Sequence, residues 1–256
     1  MKNYVEILKV TKDKKKFVVL TNNGEYKLDE ETIINHLVLK GKTFTDEEFD
    51  EIIKTEEKNQ LFNKVLNYIS YQMRSENEIY TYLKEKDASL EQIETIIEKL
   101  KSFGYINDNE LASYLLDSTI RSKKGPKVLE NKLQEKKIDA KIIQSTIGKY
   151  SYDIEIDVVN NLVDTLKNKK SDYPIKKQKQ HLYEKLLRDG FSSEIVNSII
   201  NSIEFVDNSD DTLEKDIEKL EYKYRDLDLK TKKVKMINSL LAKGYEYSKI
   251  SKKISE

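Results

Sequence analysis

Apolar positions along this chain follow two different periods. In the first thirty residues they fall in short runs rich in Val, Ile and Phe, at 4–10, 16–21 and 25–28, which predicts strands. Asn23-Gly24 separates the last two runs and supplies two residues that tolerate positive φ, as a two-residue type I′ hairpin turn requires. In that hairpin Phe17, Val19 and Thr21 share a face with Tyr26 and Leu28. Because a lone hairpin is marginal, the first strand and the helix that follows are expected to cover it. Two short helices come next. Asp29 is placed to cap residues 30–40, which end at Gly41, and Thr45 with Glu48 forms a capping box before the stripe Phe49, Ile52, Ile53. The acidic pair Glu56-Glu57 then leads into a longer helical remainder.

From Leu61 onward the period is helical and the chain repeats itself. Leu83, Leu133, Leu186 and Leu240 serve as anchors. Four residues earlier stand Ile79, Leu129, Leu182 and Met236; ten later, Ile93, Ile143, Val196 and Ile250; fourteen later, Ile97, Ile147, Ile200 and Ile254. All of these positions carry large aliphatic side chains, and the anchors are 50, 53 and 54 residues apart. A period near fifty leaves room for three helices of average length with tight connections. In the first unit helix one covers about 61–72, and the capping boxes Ser75/Glu78 and Ser89/Gln92 open helices two and three. In the second unit Asn107 with Glu110 opens the first helix and Gly125-Pro126 the second, with Pro where no hydrogen bond is lost. Gly190 and Gly244 stand four residues after their anchors, where a helix ends in a glycine. The longer third spacing puts a loop at 168–173. The predicted architecture is mainly α: an N-terminal β-hairpin or small sheet with short helices (1–58), then tandem three-helix repeats at 59–106, 107–150, 151–206 and 207–256, in an elongated array.

Composition agrees with small helical cores. The chain's 256 residues include 7 Gly and 2 Pro, too few for the turns of an all-β protein, and hydrophobic residues make up 38% against 36% charged. There is no Cys, which excludes disulfides and thiolate zinc sites and suits a reducing cytoplasm. Lys2, Glu6 and Lys9 interrupt the N-terminal apolar run, so it is no signal peptide, and no stretch reaches the length of a membrane span. Net charge is zero, but unevenly distributed: residues 121–141 hold eight basic side chains against three acidic, and residues 204–221 hold eight acidic against Lys215 and Lys219.

No catalytic constellation can be assembled. His36 and His181 lack a metal-ligand spacing, and the scattered glycines build no phosphate-binding loop. Asp207, Asp210 and Asp211 read as an acidic linker in preference to a cation site. Most tyrosines, among them Tyr68, Tyr80, Tyr82 and Tyr114, lie at helical spacing beside aliphatics and are expected to pack their rings on the core. Tyr71, Tyr173 and Tyr224, next to basic stretches, are the better candidates for stacking on bases. Basic clusters recur at the second helix of three units: Lys123, Lys124, Lys127; Lys176, Lys177, Lys179; and Lys230, Lys232, Lys233, Lys235. Lysine at a helix start opposes the helix dipole. These clusters are therefore either a solvated face or a surface for phosphates or an acidic partner.

Three segments resemble the signature of the RecX family, bacterial regulators of the RecA recombinase: residues 67–79 (NYISYQMRSENEI), Gly104-Tyr105-Ile106-Asn107-Asp108 followed by Ala112, and Ser122-Lys123-Lys124-Gly125-Pro126-Lys127 before Leu133. They occur in the family's order and spacing, and the hairpin start and fourth unit resemble its long Firmicutes-type form. Where relatives commonly carry Lys-Gly after the anchor, this chain has Lys86-Asp87 and Lys136-Lys137, and Gln72 stands where Arg is frequent. The resemblance implies a non-enzymatic, cytoplasmic monomer without cofactor. It would lodge in the groove of the RecA–DNA filament, temper ATP hydrolysis, strand exchange and co-protease activity, and contact DNA phosphates there. Arg74, Lys123, Lys124, Lys127, Lys177 and Lys179 are the residues expected to face the filament. The rival expectation is a helical-repeat module that binds single- or double-stranded DNA directly; a carboxylate-dependent nuclease fits less well.

Overall fold

The computed structural model describes residues 4–14, 16–167, 173–204 and 209–255, in two compact units, Met1–Leu111 and Ala112–Glu256. At the start of the first unit, inward Val5, Ile7 and Val19 alternate with exposed neighbours, the period of a half-buried sheet. Strands β1 (Tyr4–Asp13), β2 (Lys16–Thr21) and β3 (Gly24–Leu28) are joined, after helix α1 (Glu30–Asn35), by β4 (Thr43–Thr45) in an antiparallel sheet of order β3-β2-β1-β4.

The expected hairpin forms with a different turn. Thr21 pairs with Gly24, so the loop residues are Asn22 and Asn23, and neither has a positive φ. The Thr21 hydroxyl sets this register: it accepts from the amides of Asn23 and Gly24, both at 3.1 Å, and donates to the Gly24 carbonyl at 3.0 Å. Asn22 is thereby free to bridge to β1, accepting from the Glu6 amide and donating to the Tyr4 carbonyl, each at 2.9 Å. The inward set survives the shift, since Phe17 faces Leu28 and Val19 faces Tyr26. Helix α1 stops five residues before the expected Lys40. Leu37 turns left-handed at φ +49°, and the Val38 amide bonds back to Ile33 at 3.0 Å, burying Val38 completely.

The largest departure is α2 (Asp46–Ser70), one helix of 25 residues in place of the short helix and separate helix one expected. It starts at the predicted Thr45/Glu48 capping box and runs through the expected boundary at 58/59, with no Gly or Pro to break it. Its middle is fixed by Glu56, 3% exposed. That carboxylate accepts from the Asp29 amide (2.8 Å), the Thr32 hydroxyl (2.7 Å), Gln60 (2.7 Å) and Lys16 Nζ (3.2 Å). Asp29 makes no side-chain cap bond and pairs with Lys16 at 3.4 Å instead. The sheet module is thus fastened to the helix that opens the first repeat.

The other helices follow in threes: α3 (Glu76–Lys84) and α4 (Leu90–Ser102) with α2; α5 (Asp108–Arg121), α6 (Pro126–Glu135) and α7 (Ala140–Lys149); α8 (Tyr152–Lys167), α9 (Ile175–Arg188) and α10 (Ser193–Ser202); α11 (Ser209–Lys223), α12 (Leu229–Lys243) and α13 (Tyr247–Ser255). The loop expected at 168–173 lies, but for Tyr173, outside the described residues. Capping boxes open α3 and α4, and Gly125 caps α6 with Pro126 in its first turn, as predicted. All four anchor leucines are fully buried, and of the positions repeated around them all but Ile143, Ile147 and Ile254 are buried as well.

The repeat extends to the backbone. Each anchor carbonyl accepts from the amide five residues on: Leu83 from Ala88, Leu133 from Ile138, Leu186 from Phe191 and Leu240 from Tyr245, all at 3.2 Å. The residue before each donor is left-handed, with φ of +59° at Asp87, +49° at Lys137, +88° at Gly190 and +95° at Gly244. This is a Schellman-type ending, in which the following apolar side chain turns back onto the helix, and it joins the second helix to the third in every repeat.

Candidate functional site

Three of the six candidate cations occupy one repeat position, nine residues before the anchor, where the second helix begins: Arg74, Lys124 and Lys177. Each is engaged by other residues of the protein. The Arg74 guanidinium lies 4.1 Å from the centroid of the Tyr68 ring, and Tyr68 stacks on Tyr82 at 4.3 Å with the planes 5° apart. Arg74 also pairs with Glu78 at 3.2 Å, and its side chain is only 19% exposed. Lys177 lies over the Tyr173 ring at 5.5 Å, while its Cβ approaches the Gly244 turn.

Lys124 is the most firmly held. Its ammonium donates to Asp189 Oδ1 at 2.6 Å across 65 residues of sequence, and Lys185 donates to Oδ2 at 2.6 Å. Burial alone would raise the Asp189 carboxyl, but the hydrogen bonds from Lys124 and Lys185 outweigh it and keep its pKa below the usual carboxylate value. Beneath the ion pair two backbones touch. The Gly125 amide donates to the Asp189 carbonyl at 2.8 Å and the Lys127 amide to that of Gly190 at 3.1 Å. A Cβ on Gly125 would lie 2.2 Å from the Gly190 oxygen, so the contact requires glycine. Tyr150 closes the other side, its hydroxyl donating to the Lys124 carbonyl at 2.9 Å; burial and the nearby Glu155 charge push its pKa up to about 12.

Two of the remaining candidates, Lys123 and Lys127, face solvent more openly. Lys123 is exposed at the end of α5, in left-handed backbone (φ +52°) closed by the Lys124 amide on the Thr119 carbonyl. Lys127 has a 68% exposed side chain and only an i,i+3 pair with Glu130, the kind that contributes little in water. Lys179 is half-buried on α9. The structure therefore brings Lys123, Lys124 and Lys127 together around the start of α6. Asp189 and Gly190 were missed. Their signal was present, because the residue three after the anchor is Lys in the other units (Lys86, Lys136, Lys243) and an acid only here.

Of the tyrosines, Tyr80 and Tyr82 pack on the first-repeat core as expected, whereas Tyr114 is 52% exposed. Tyr71 is 87% exposed and Tyr173 45%, the latter with Lys177 over its ring, while the Tyr224 hydroxyl hydrogen-bonds Ser239 at 3.3 Å. His181 packs edge-on against Tyr173. Among the described residues no cluster of three metal-ligating side chains occurs, and no helix is long and apolar enough to cross a membrane; Asp207 lies outside them.

A model of the first three-helix domain of RecX matches residues 62–100, which span the end of α2, α3 and most of α4. The regulatory protein RecX of Streptococcus agalactiae serotype V is 31% identical over 261 residues, covering 98% of this chain and 99% of its own. The chain belongs to the RecX family. That of Listeria innocua serovar 6a is 28% identical over 250 residues, covering 96% of this chain and 93% of its own. A crystal structure of regulatory protein RecX shares the fold, with a TM-score of 0.61 at 24% identity over 77% of this chain and all of that one. RecX from Lactobacillus salivarius gives 0.53 at 29% identity, covering 57% of this chain and 96% of its own. The protein is thus a member of a family of regulatory proteins built from three-helix repeats. In the first two repeats, where no glycine follows the anchor, the left-handed turn is made by Asp87 and Lys137.

Proposed function

We propose that this protein is a non-enzymatic regulator that binds the RecA–DNA filament and mainly inhibits its ATPase, strand-exchange and co-protease activities. The carrying observation is the full-length relation to proteins named regulatory protein RecX. The exposed cations around the start of α6 supply a surface for an anionic partner such as the filament's phosphates, and neutral net charge suits a surface that presents protein and DNA together. Basic clusters begin the second helix of the last three repeats, so weak contacts add through tethering.

The contact set divides by geometry. Lys123 and Lys127 are the partner-facing residues, whereas Arg74, Lys124 and Lys177 are first of all held by Tyr68, Asp189 and Tyr173. The test is the double reversal Lys123→Glu, Lys127→Glu, which leaves the Asp189 pair intact. Inhibition of RecA-dependent strand exchange should weaken by about tenfold or more, and the salt dependence of binding should become shallower. Undiminished inhibition by a folded variant would sink this reading. Equal binding to naked single strands without RecA would favour the direct DNA-binding alternative.

A further inference from the structure

We propose that the Lys124–Asp189 pair and the Gly125–Gly190 backbone contact make the second and third repeats one rigid binding body, in which Lys124 and Asp189 are positioning residues for the exposed cations beside them. The surface they position is the one assigned above, so its use rests on that reading; the joint itself belongs to the free chain.

Three contacts cross it and a fourth braces it from within the second repeat. Two amides of the α6 start are spent on the Asp189 and Gly190 carbonyls. The Asp189 carboxylate, in a residue only 8% exposed, is shared between an ammonium from each repeat. The Gly190 turn is pressed against Val128, where a Cβ would lie 2.8 Å from Val128 Cγ2. Tyr150 pins the Lys124 carbonyl from behind. The equivalent approach between the third and fourth repeats is looser: a Cβ at Gly244 would sit 3.5 Å from that of Lys177, an ordinary contact. There Lys243, at the position of Asp189, turns inward to Asp216 at 2.6 Å within its own repeat. The backbone approach at the α6 joint is therefore closer than at the next junction along the chain.

Rigidity has a functional consequence. Lys123 and Lys127 flank the joint, and a preset spacing between their patch and the third repeat removes an ordering cost on binding. It also makes an unusual demand of Asp189. Charge alone says that deleting an acid next to a basic patch strengthens binding to an anionic partner; a positioning role says that it weakens it.

The chain has no native cysteine, so spin labels at Gln144→Cys and Asn197→Cys, exposed positions on α7 and α10, report the distance between the two repeats in the full free chain. The parent should give one narrow distance distribution, and Asp189→Ala and Lys124→Met should each broaden it with helical content retained. Gly125→Ala, which forces the backbones apart, should move it. A narrow, unmoved distribution in all three variants overturns the joint. On filaments, Asp189→Ala should weaken binding about fivefold, the scale of one loosened joint, at unchanged salt dependence; tighter binding overturns the positioning role. A parent chain that shows the joint yet ignores the filament would fault the functional reading and uphold the joint.

Discussion

Replacing Lys137 by glycine should stabilise the protein. The backbone there is left-handed at φ +49°, as at Gly190 and Gly244 in the same repeat position, and an L-residue in that conformation costs about 1–2 kcal/mol. Glycine escapes this cost but gives back about 0.5–1 kcal/mol through the extra freedom of its unfolded chain. The side chain of Lys137 is exposed, so its removal forfeits no packing. The net gain for Lys137→Gly is then about 0.5–1 kcal/mol. Asp87→Gly, at φ +59°, should gain less, because Asp visits this region more readily than Lys. Urea unfolding is the assay: the midpoint should rise at unchanged slope. Because an array of repeats need not unfold in one step, hydrogen exchange of the Ile138 amide, which bonds the Leu133 carbonyl, gives the local reading and should slow by a corresponding factor of about two to five. The opposite change, Gly190→Ala, adds strain and a Cβ 2.8 Å from Val128, and should lose more than about 2 kcal/mol. A lowered midpoint and faster Ile138 exchange in Lys137→Gly would refute the assignment of a common left-handed turn.

Glu56→Leu should loosen the sheet module by about 3–5 kcal/mol, because the donors from Asp29, Thr32, Gln60 and Lys16 lose a buried acceptor; amide exchange in α1 and β1 should rise while that of α3 holds, and uniform protection across the module would contradict it. Acid should weaken the fold through the same kind of group. Burial raises the Glu56 and Asp189 carboxyls, but their hydrogen bonds more than compensate and both lie below their ordinary values. Their contribution is therefore full above the unfolded pKa values of about 4.3 and 3.9 and is lost as pH falls through the folded ones. Glu56→Gln and Asp189→Asn should each be less stable at neutral pH and show a flatter decline below about pH 4; a decline parallel to the parent's would count against these carboxylates.

The repeats were legible because their determinants are local and periodic. Leu83, Leu133, Leu186 and Leu240 mark a helix-end motif that needs only a few neighbouring residues, and the capping boxes at Thr45, Ser75 and Ser89 are read within four residues. What escaped depends on distant partners. The hairpin register was decided by the Thr21 hydroxyl and by Asn22 reaching β1, against the local preference of Asn23-Gly24. The continuity of α2 reflects Glu56 meeting Asp29 and Thr32, so one member of the acidic pair Glu56-Glu57 is a buried fastening. At the candidate surface the cations of Lys123, Lys124 and Lys127 were legible, but the capture of Lys124 by Asp189 was not.

That capture changes how the charge of the chain should be counted. Lys124 and Lys185 meet one carboxylate, Arg74 meets Glu78, Lys243 meets Asp216 and Lys16 meets Glu56. Each pair places at least one group in a largely buried setting, where the charges are screened by each other more than by salt. The basic run at 121–141 thus overstates the charge that a partner meets, because its central lysine is committed to the neighbouring repeat. Lys123 and Lys127, on either side of that lysine, remain exposed, Lys127 with only the weak pair to Glu130. The zero net charge consequently has two parts: a few internal pairs that hold elements and repeats in place, and the much larger exposed set around them. A partner that recognises this protein by charge reads only the second part, yet its affinity depends on the first, which is why an acid, Asp189, belongs to the basic surface.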